Sequence, residues 1–598
     1  MIVFGDVQCR ERVSDKLRRV GDLLHAARTL NTHATGIGRH GVLVEALIEA
    51  GELAQGIADA RFVAQGRRDT PSAQADAAMG LARWIAVQCV RSWDTRFDWV
   101  PTAASAHEAL AAFQAVVQGE ELLDVRQPEG YAFYALYPEC HLAAARQVRR
   151  AIDGPWRVIG LRSIGTSLAA VVAAVLGDPA PRTLRPSGHP FDRRVSWSGG
   201  PPPDPGEHHA IVDEGPGLSG SSIAAAIRHL RQAGVPPSRI HVFPGHANGP
   251  GEQASAQIHS LWRQARTHVA DFAPVLLHAP ERVQRLRSWV EEIIGPLDAE
   301  LEEIAAGGWR GLHRGSGERS NAEKAPAHPW QERRKFIVRS GAAEWLVKFA
   351  GLGGRARERC ECARLLGETG FSPRVAGWCH GFVVERWHAD MAPLTAAQWR
   401  HPPLRRQLLD RLARYIAFRA RRFPADADSG ASIHALCEMG WHNSRELLGS
   451  EADAMWQAHR ASAAQLAPLV RRVRTDNRMH AWEWLHGGDL LLKTDAVDHH
   501  AGHDLVGCQD SAWDVAGAAV EFELDAAELG ALAQAVAARG AVRIDERLLA
   551  FCIAAYLAFQ AGHFRMAAGD ARDEQERNRL EAQVERYMRE LARRAHRG

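Results

Sequence analysis

The alternation of apolar and polar positions divides the chain into stretches of different texture. Residues 1–120 predict helix after helix; within Gly41–Phe62, for example, Leu43 and Leu47 belong to an apolar series at helical spacing. From about residue 125 to residue 275, short β-like runs alternate with helical stretches. Strands that alternate with helices predict a parallel sheet in an α/β fold. We therefore expect a helical N-terminal region followed by an α/β domain.

The texture changes twice more towards the C-terminus. A charged helix is predicted over Glu281–Ala306, followed by a stretch rich in Gly, Ser and Arg that we interpret as a linker or an ordered surface excursion. From residue 330 a β-rich start gives way to a mainly helical remainder. The predicted architecture is multidomain, combining α/β and α+β parts, with segments 1–120, 121–275, 276–329 and 330–598.

Composition narrows the class of protein. The chain has 598 residues, 46% of them hydrophobic, and 73 Lys+Arg against 71 Asp+Glu give a net charge of +2. This balance argues against a nucleic-acid binder held by phosphate contacts, and no apolar run approaches the roughly 18 residues of a membrane span. Nine cysteines without a CxxC pair indicate a reducing cytoplasm. We expect a cytoplasmic protein with small-molecule substrates and without nucleic-acid or membrane partners; the sequence leaves its oligomeric state open.

The strongest local signal is AIVDEGPGLSGSS at Ala210–Ser222. An apolar strand ends in two carboxylates, Asp213 and Glu214, and a loop rich in Gly and Ser then leads into a helix. Backbone N–H groups at a helix N-terminus, together with the serine hydroxyls, can surround a phosphate. Adjacent carboxylates suit the two hydroxyls of a ribose. An ordinary strand–turn–helix is the alternative, but it needs neither the acidic pair nor three serines.

This arrangement resembles the signature of the type I phosphoribosyltransferases, with a loop one residue longer than the usual form. The resemblance implies that Asp213 and Glu214 position the ribose of phosphoribosyl pyrophosphate, with Mg²⁺, and favour the positive charge of the transition state. It also implies a pyrophosphate loop at Arg162–Gly165, a flexible hood at Thr183–Arg194, and an edge at Glu129–Glu139 that closes over the substrate. The residues assigned to binding this ligand are Arg162, Ser163, Gly165, Arg185, Ser219, Gly220, Ser221 and Ser222.

A second signal lies at the start of segment 330–598. The stretch KFIVRSGAAEWLVKFAG predicts a hairpin with Ser-Gly at the turn and Lys348 deep in the second strand. Lysine is rare here, since only five of the 73 basic residues are lysine. A strand lysine followed by a helix that carries a glutamate is the phosphate clamp of kinase folds. An amphipathic strand with one exposed lysine is the alternative.

The order of these elements is similar to the small lobe and hinge of the aminoglycoside-phosphotransferase and choline-kinase-like families. The stretch QDSAWDVAGA, which contains Asp514, resembles the segment after the metal site in those proteins. The resemblance implies a bilobal protein-kinase-like domain in which Lys348 binds the phosphates of ATP. It further implies that Glu361, or Glu358 one turn earlier, orients the lysine and that the segment around Glu385 forms the adenine hinge.

Two registers compete for the catalytic residues of this domain. In the first, HGGD supplies a catalytic-loop Asp489 and HDLVG supplies a metal-binding Asp504. In the second, HGGD is a hairpin turn and the strand LLLKTD ends in the metal-binding Asp495. We favour the second because Gly-Gly-Asp is suited to a tight hairpin turn.

In the second register the catalytic role falls near Asp476, Asn477 and His480. Neither register has the intact family pattern of an Asp with an Asn five residues on. Imidazole and carboxylate are also common ligands of zinc, manganese and iron, so a dedicated transition-metal site remains an alternative. Its ligands would come from Asp495, Asp498, His499, His500, His503 and Asp504.

Taken together, the two resemblances imply a bifunctional enzyme. It would transfer ribose 5-phosphate from phosphoribosyl pyrophosphate to an acceptor and would phosphorylate a related metabolite with ATP, using Mg²⁺ in both sites. A regulatory or nucleotide-sensing protein, with one or both domains catalytically degenerate, is the alternative. No motif indicates the acceptor or the group that is phosphorylated.

Overall fold

The structure is a computed structural model that describes residues 1–2, 4, 8–30, 36–313, 324–328, 331–502 and 505–595. Within these ranges the chain is a mixed helical and α/β protein. It contains one five-stranded parallel sheet and one five-stranded antiparallel sheet, as well as smaller two- and three-stranded sheets. The helices and the two large sheets determine where the candidate sites lie.

The N-terminal part is helical, as its apolar spacing predicts. Ser72 and Thr102 start two of its helices by accepting hydrogen bonds from the backbone N–H groups of Ala75 and Ser105, which would otherwise lack a partner. Strand β1 (Gln8–Arg12) precedes these helices and strand β2 (Leu122–Arg126) follows them, and the two strands pair as a short antiparallel ribbon. The helices are α1 (Val13–Thr29), α2 (Ile37–Ala64), α3 (Ala73–Asp94) and α4 (Ala103–Gln114).

The parallel sheet follows the strand–helix alternation of the sequence. Its strands lie in the order β4-β3-β7-β8-β9, all parallel, so their carboxyl ends share one edge. A small antiparallel hairpin, β5–β6, stands beside it. The strands are β3 (Trp156–Leu161), β4 (Arg182–Leu184), β5 (Ser187–His189), β6 (Asp192–Arg194), β7 (His208–Val212), β8 (Ile240–Phe243) and β9 (Arg266–Thr267). The helices are α5 (Glu129–Phe133), α6 (Pro138–Ala151), α7 (Gly165–Leu176), α8 (Ser221–Gln232) and α9 (Ala256–Gln264).

The long charged helix predicted over Glu281–Ala306 is wrong in its extent. Helix α10 (Leu286–Ile294) ends where Gly295 takes a φ of +85° and Pro296 follows, a combination that cannot continue a helix. Part of the remaining stretch forms β10 (Glu302–Glu303), which pairs with the antiparallel sheet. The chain after α10 is therefore part of the fold as far as residue 313, and residues 314–323 lie outside the described ranges.

The antiparallel sheet has the order β10-β11-β12-β14-β13. The predicted hairpin is present: Ser340 pairs with Ala343, and Gly341 sits in the turn with a φ of +58°. Lys348 lies one residue before the end of its strand. The remaining elements are β11 (Lys335–Ser340), β12 (Ala343–Phe349), α11 (Gly354–Glu368), β13 (Val375–Cys379) and β14 (Phe382–Arg386).

The C-terminal part is mainly helical and carries three small strand pairings, of β15 with β17, β17 with β18, and β16 with β19. Its helix α18 (Glu546–Asp570) is long and apolar enough to cross a bilayer by length and composition. However, 89% of its most apolar 18-residue stretch is buried inside the protein, as in a core helix. The strands are β15 (Ala392–Pro393), β16 (Arg472–Val473), β17 (Trp484–Gly487), β18 (Leu490–Lys493) and β19 (Gln509–Asp510). The helices are α12 (Ala396–Arg400), α13 (Pro402–Arg422), α14 (Ile433–Leu448), α15 (Asp453–Leu466), α16 (Ser511–Glu521), α17 (Ala526–Gly540), α18 (Glu546–Asp570) and α19 (Glu574–Ala595).

Two large hydrophobic cores organise these elements. The first runs from Val13 to Val384 and combines the N-terminal helices, one face of the parallel sheet and the antiparallel sheet. The second runs from Cys362 to Leu591 and belongs to the helical C-terminal part. The first core crosses the predicted boundaries at 120 and 329, and the division into domains stays a prediction.

A buried charge ties the first two helices together. Lys16 of α1 is 1% exposed, and its ammonium lies 2.9 Å from a carboxylate oxygen of Glu49 and also contacts Glu52, both on α2. A charge inside an apolar core is tolerated only with such partners. Removing Lys16 would leave Glu52 without this partner, whereas Glu49 would keep Arg19 at 3.2 Å.

Replacing Lys16 with Met should therefore lower the free energy of unfolding by about 3–5 kcal/mol, the cost of leaving buried charge without its partner. The matched control is Arg18→Met on the same helix, where the side chain is 65% exposed; its effect should stay within about 0.5 kcal/mol. Chemical denaturation of both variants beside the wild type measures the difference. Equal midpoints for the two variants would contradict this account of the helix pair.

Candidate functional site

A cavity of about 180 Å³ lies between the antiparallel sheet and the helical C-terminal part. Its sheet side is formed by Leu346, Lys348 and Glu385, which the pairing of β12 with β14 places on one face. The other wall comes from the segment that contains β17 and β18. Residues on that wall include Arg478, His480, Trp482, Glu483, Asp495, Asp498 and His499.

Lys348 and Asp495 form an ion pair at this cavity. The ammonium of the strand lysine contacts the carboxylate of Asp495, which comes from the opposite side of the cleft. Burial lowers the pKa of Lys348, but the carboxylates of Asp495, Asp498 and Glu385 outweigh burial and hold the pKa above its ordinary value. Lys348 is therefore a charged ammonium facing acidic groups, where the sequence places a phosphate-binding lysine.

The hairpin between β17 and β18 decides the register around this site. Gly487 pairs with Leu490, so Gly488 and Asp489 form the turn, and Gly488 has the positive φ that such a turn requires. Strand β18 then leads directly to Asp495. Asp489 is exposed at the turn and does not line the cavity. Asp504, the metal ligand of the other register, lies outside the described residues.

Asp495, Asp498 and His499 bring their ligand atoms within 4.8 Å of one another. His499 bridges two carboxylates, with Nε2 3.3 Å from Asp495 and Nδ1 3.3 Å from Asp476. Asp498 is also held by Arg333, whose guanidinium lies 2.9 Å away. Two carboxylates and an imidazole in this geometry could hold a divalent cation.

Asp476 lies beneath the cavity rather than on its wall. Its side chain is completely buried and contacts the Tyr415 hydroxyl and Lys493, whose ammonium is 3.4 Å away. Burial raises the pKa of Asp476, but Lys493, His499 and Arg419 together hold it well below its usual range. An ionised carboxylate surrounded in this way positions its neighbours and cannot reach a substrate.

Asp514 fixes the loop that carries Asp476. Its two carboxylate oxygens accept hydrogen bonds of 2.9 Å from the backbone N–H groups of Asp476 and Asn477. Burial, with the nearby charge of Asp476, raises the pKa of Asp514 to about 6. The stretch QDSAWDVAGA, through Asp514, thus holds the conformation of the loop that leads to Arg478 and His480.

His480 is the predicted catalytic residue that reaches the cavity. Its Nδ1 lies 3.5 Å from a carboxylate oxygen of Glu483, and its ring stacks on Trp482 at 4.4 Å between centroids. Its Nε2 is buried and has no hydrogen-bond partner among the described residues. The guanidinium of Arg478 donates a hydrogen bond to Gln331 across the cavity. Sequence reasoning missed both Arg478 and Glu483, because neither residue belongs to an intact motif.

The prediction that Glu361 orients Lys348 is wrong. Glu361 is 45% exposed and pairs with Arg364 at 2.9 Å, and Glu358 pairs with Arg474 at 3.2 Å. Helix α11 instead turns Arg359 inwards, because residues two apart on a helix point to opposite sides.

Glu385, assigned to the adenine hinge, faces Lys348 from the neighbouring strand. Burial raises the pKa of Glu385 to about 7, against the opposing effect of Lys348. Glu385 lines the cavity. Its role in an adenine hinge stays a prediction.

The second candidate site lies at the carboxyl edge of the parallel sheet. Asp213 and Glu214 follow β7 directly, and Asp213 accepts a 2.9 Å hydrogen bond from the backbone N–H of Glu214. Burial raises the pKa of Asp213 to about 7. Gly165 at the start of α7 approaches this edge so closely that a Cβ would lie 2.5 Å from the Val212 carbonyl oxygen.

The loop rich in Gly and Ser between β7 and α8 lies at this edge of the sheet. Gly220 has a φ of +59°, and helix α8 starts at Ser221 directly after it. The hydroxyls of Ser219 and Ser221 lie 3.1 Å apart, and Ser221 also donates to the carbonyl of Pro190 in the β5–β6 hairpin. Ser222 is half-buried in the first turn of α8. The loop and the predicted hood are therefore in contact.

The arginines assigned to pyrophosphate are paired with acidic residues of the N-terminal part. Arg162 lies 2.9 Å from Asp59 and 2.6 Å from Asp69, and Arg185 also pairs with Asp59. The neighbouring Arg162–Ser163 peptide is cis. No motif marks Asp59 or Asp69, so the sequence could not indicate these partners.

Helix α5 lies against both sites. A Cβ on Gly130 would come within 3.1 Å of the Glu214 carboxyl carbon, and Phe133 and Tyr134 line the cavity of Lys348. Arg333, which pairs with Asp498, donates to the carbonyl of Phe133 at 3.0 Å. The segment Glu129–Glu139, which is predicted to close over phosphoribosyl pyrophosphate, therefore also forms part of the wall of the Lys348 cavity.

No protein-family model matches this chain, and no curated protein matches it either. Among solved structures, choline kinase LicA from Streptococcus pneumoniae is similar at 12% identity and a TM-score of 0.30, over 42% of this chain and 89% of that chain. A choline/ethanolamine kinase family protein from Mesorhizobium loti is similar at 17% identity and a TM-score of 0.29, over 43% of this chain and 90% of that chain. The aminoglycoside phosphotransferase APH(4)-Ia, in complex with ADP and hygromycin B, is similar at 13% identity and a TM-score of 0.27, over 50% of this chain and 98% of that chain.

These solved structures are kinase-like phosphotransferases, and each is matched over about half of this chain or less. They give no support for phosphoribosyl transfer. Identities and TM-scores this low assign no activity, so the function has to be argued from the geometry of the sites.

Proposed function

We propose that the cavity beside Lys348 binds Mg·ATP and that this part of the chain transfers a phosphoryl group to a small molecule. The observation that carries the proposal is the ion pair of Lys348 with Asp495 across the cleft. A strand lysine and a carboxylate at the end of an opposing strand are the groups with which kinase folds hold the phosphates and their metal.

The residues around Asp495 fit a magnesium ion. Asp495 and Asp498 offer carboxylate oxygens, the ligands that Mg²⁺ prefers, and His499 orients Asp495 through Nε2. A bound Mg²⁺ neutralises charge on the phosphate oxygens. In this proposal Lys348 moves its contact from Asp495 to the phosphates, which frees the carboxylate for the metal.

His480 is the proposed base for the acceptor hydroxyl. Its unpartnered Nε2 would take the hydroxyl proton while Glu483, close to Nδ1, holds the ring. Asp476 has no free access to the cavity, so its proposed role is to position the loop. The regulatory alternative rests on the missing family pattern, because neither register has an Asp with an Asn five residues on.

Lys348→Ala and Asp495→Asn should each weaken Mg·ATP binding by about 10- to 100-fold, which corresponds to roughly 1.5–3 kcal/mol for a hydrogen bond to a charged group. Asp489→Asn is the matched control, because this carboxylate lies at the exposed hairpin turn nearby; it should bind like wild type. Calorimetric titration with Mg·ATP measures all three. Wild-type affinity in both Lys348→Ala and Asp495→Asn would refute the nucleotide site.

His480→Gln should leave Mg·ATP affinity unchanged and slow phosphoryl transfer by about 10²–10⁴-fold, the usual contribution of a general base. Release of ADP with water as the acceptor provides a readout that needs no identified substrate. His486→Gln, on strand β17 six residues further along the chain, is the control and should turn over normally. If both variants release ADP at the wild-type rate, His480 is not the base.

A second candidate function is binding of phosphoribosyl pyrophosphate, with ribosyl transfer, at the edge of the parallel sheet. Asp213 and Glu214 at the strand end, beside the N-terminus of α8, favour it. In this proposal the pyrophosphate competes with Asp59 for Arg185 and Arg162. The two reactions together would make the chain bifunctional, as the sequence suggests.

The pH dependence of this binding tests the role of Asp213. Its pKa of about 7 in the folded protein means that the ionised form, which accepts hydrogen bonds from ribose hydroxyls, develops only as pH rises through neutrality. Affinity for Mg-phosphoribosyl pyrophosphate should therefore increase by up to about tenfold per pH unit below pH 7 and level off above it.

Fluorescence or calorimetric titrations at several pH values measure this dependence. The double substitution Asp213→Asn with Glu214→Gln should abolish binding, whereas Asp192→Asn on the exposed hood hairpin is the control and should keep the wild-type profile. The contribution to stability has the opposite sign: the raised pKa makes folding less favourable as pH rises from about 4 to 7. Equal affinity in wild type and the double variant would overturn the assignment.

A further inference from the structure

Three residues from distant parts of the chain converge at a buried point, and none of them lines the cavity of Lys348. His40 belongs to α2, Glu139 to the first turn of α6, and His380 to the turn between β13 and β14. The side chains are only 1–2% exposed. The Nε2 atoms of both histidines lie 2.8 Å from the same atom, Oε1 of Glu139.

The carboxylate of Glu139 has partners on only one of its two oxygens. Both histidines contact Oε1, whereas Oε2 is buried without any hydrogen-bond partner among the described residues. No lysine or arginine of the described residues pairs with this carboxylate. A carboxylate oxygen buried in this way is costly unless a cation or a donor compensates it.

We infer that His40, Glu139 and His380 bind one zinc ion, which joins the three segments. Two imidazole nitrogens and a carboxylate are three protein ligands of the types that zinc binds, and the carboxylate can bind through both oxygens. Bidentate binding would also give the unpartnered Oε2 a partner. Ligand atoms of different side chains on one zinc lie roughly 3.3 Å apart, so the 2.8 Å contacts need to lengthen by about half an ångström.

The surroundings of His40 suit a metal ligand. Its Nδ1 lies 3.0 Å from the hydroxyl of Ser92, a contact that can fix the ring with Nε2 directed at the metal. The rings of Trp93 and Phe97 pack against it at 5.5 and 5.0 Å between centroids.

His380 is held just as firmly. It occupies the two-residue turn of a hairpin with a φ of +33°, at a position where Asn, Asp or Gly is the usual residue. The Tyr137 hydroxyl donates a 2.7 Å hydrogen bond to its carbonyl, and Trp289 packs on its ring at 5.5 Å. A histidine placed in a turn against such support points to a role for its side chain.

A zinc ion here would lock the hairpin of the antiparallel sheet to α2 and α6. The strand β14 that follows this turn carries Glu385 to the cavity of Lys348, and α6 follows the segment that lies between the two candidate sites. The inference does not depend on the proposed function, since the ion would be structural and closed off from solvent.

The test uses the full chain, loaded with zinc and dialysed against metal-free buffer, with zinc counted by plasma mass spectrometry. Wild type should retain one more zinc per chain than Glu139→Gln, which keeps the shape of the side chain and removes its charge. His241→Gln is the matched control, since this buried histidine lies within hydrogen-bond distance of His208 and His268 rather than of a carboxylate; it should retain the wild-type count.

The cluster around His499 could also take up zinc, so the type of ligand has to be measured too. X-ray absorption of wild type loaded with one equivalent should show two imidazole ligands, whereas the Asp495–Asp498–His499 cluster offers one. Asp495→Asn should keep the two-imidazole signal. Equal zinc counts in wild type and Glu139→Gln, or a one-imidazole spectrum in wild type, would overturn the inference and leave a hydrogen-bonded His–Glu–His contact. The spectrum needs no variant to fold.

Discussion

The ion pair between Lys348 and Asp495 connects the antiparallel sheet to the helical C-terminal part, and the arrangement of the cavity depends on it. Lys348 lies on a strand of the first core, and Asp495 follows a hairpin that packs on the second core. The side chain of Lys348 is 10% exposed and that of Asp495 is 38% exposed, and an ammonium buried to this extent needs a carboxylate partner. The pair therefore joins the two cores across a cleft lined by charged groups.

Other buried charges follow the same rule and extend it through the molecule. Arg333 pairs with Asp498 at the cavity, Arg162 pairs with Asp59 and Asp69 at the parallel sheet, and the buried Lys493 pairs with Glu483 of the cavity wall. Each pair joins segments that are distant in the sequence, apart from the local Lys493–Glu483 pair. Such pairs add little net stability compared with apolar contacts, but they penalise every arrangement that separates them.

The short helix α5 places the two candidate sites in physical contact. Gly130 lies against Glu214, whereas Phe133 and Tyr134 form part of the wall beside Lys348. Arg333 and Arg359 hold the carbonyl groups of Phe133 and Ala132 at 3.0 Å. The same short segment therefore forms part of the wall of both candidate sites.

The sequence by itself determined the local elements. Strand–helix alternation predicted the parallel sheet, Ser-Gly predicted the hairpin that carries Lys348, and Gly-Gly-Asp predicted the turn that leads to Asp495. Local patterns suffice there because backbone periodicity and turn geometry depend on neighbouring residues. They also identified Asp213 and Glu214 at a strand end, where parallel strands gather their carboxyl ends.

Only the tertiary structure decided which charges meet. Glu361 has the right residue type and spacing, but the rotation of α11 turns it to solvent and brings Arg359 inwards. Asp476 sits in the predicted loop, yet burial makes it a support for that loop. Asp59, Asp69 and the His40–Glu139–His380 cluster carry no motif, since their partners lie 93 to 241 residues away. Contacts at such separations depend on how whole elements pack, and no local pattern in the chain encodes that.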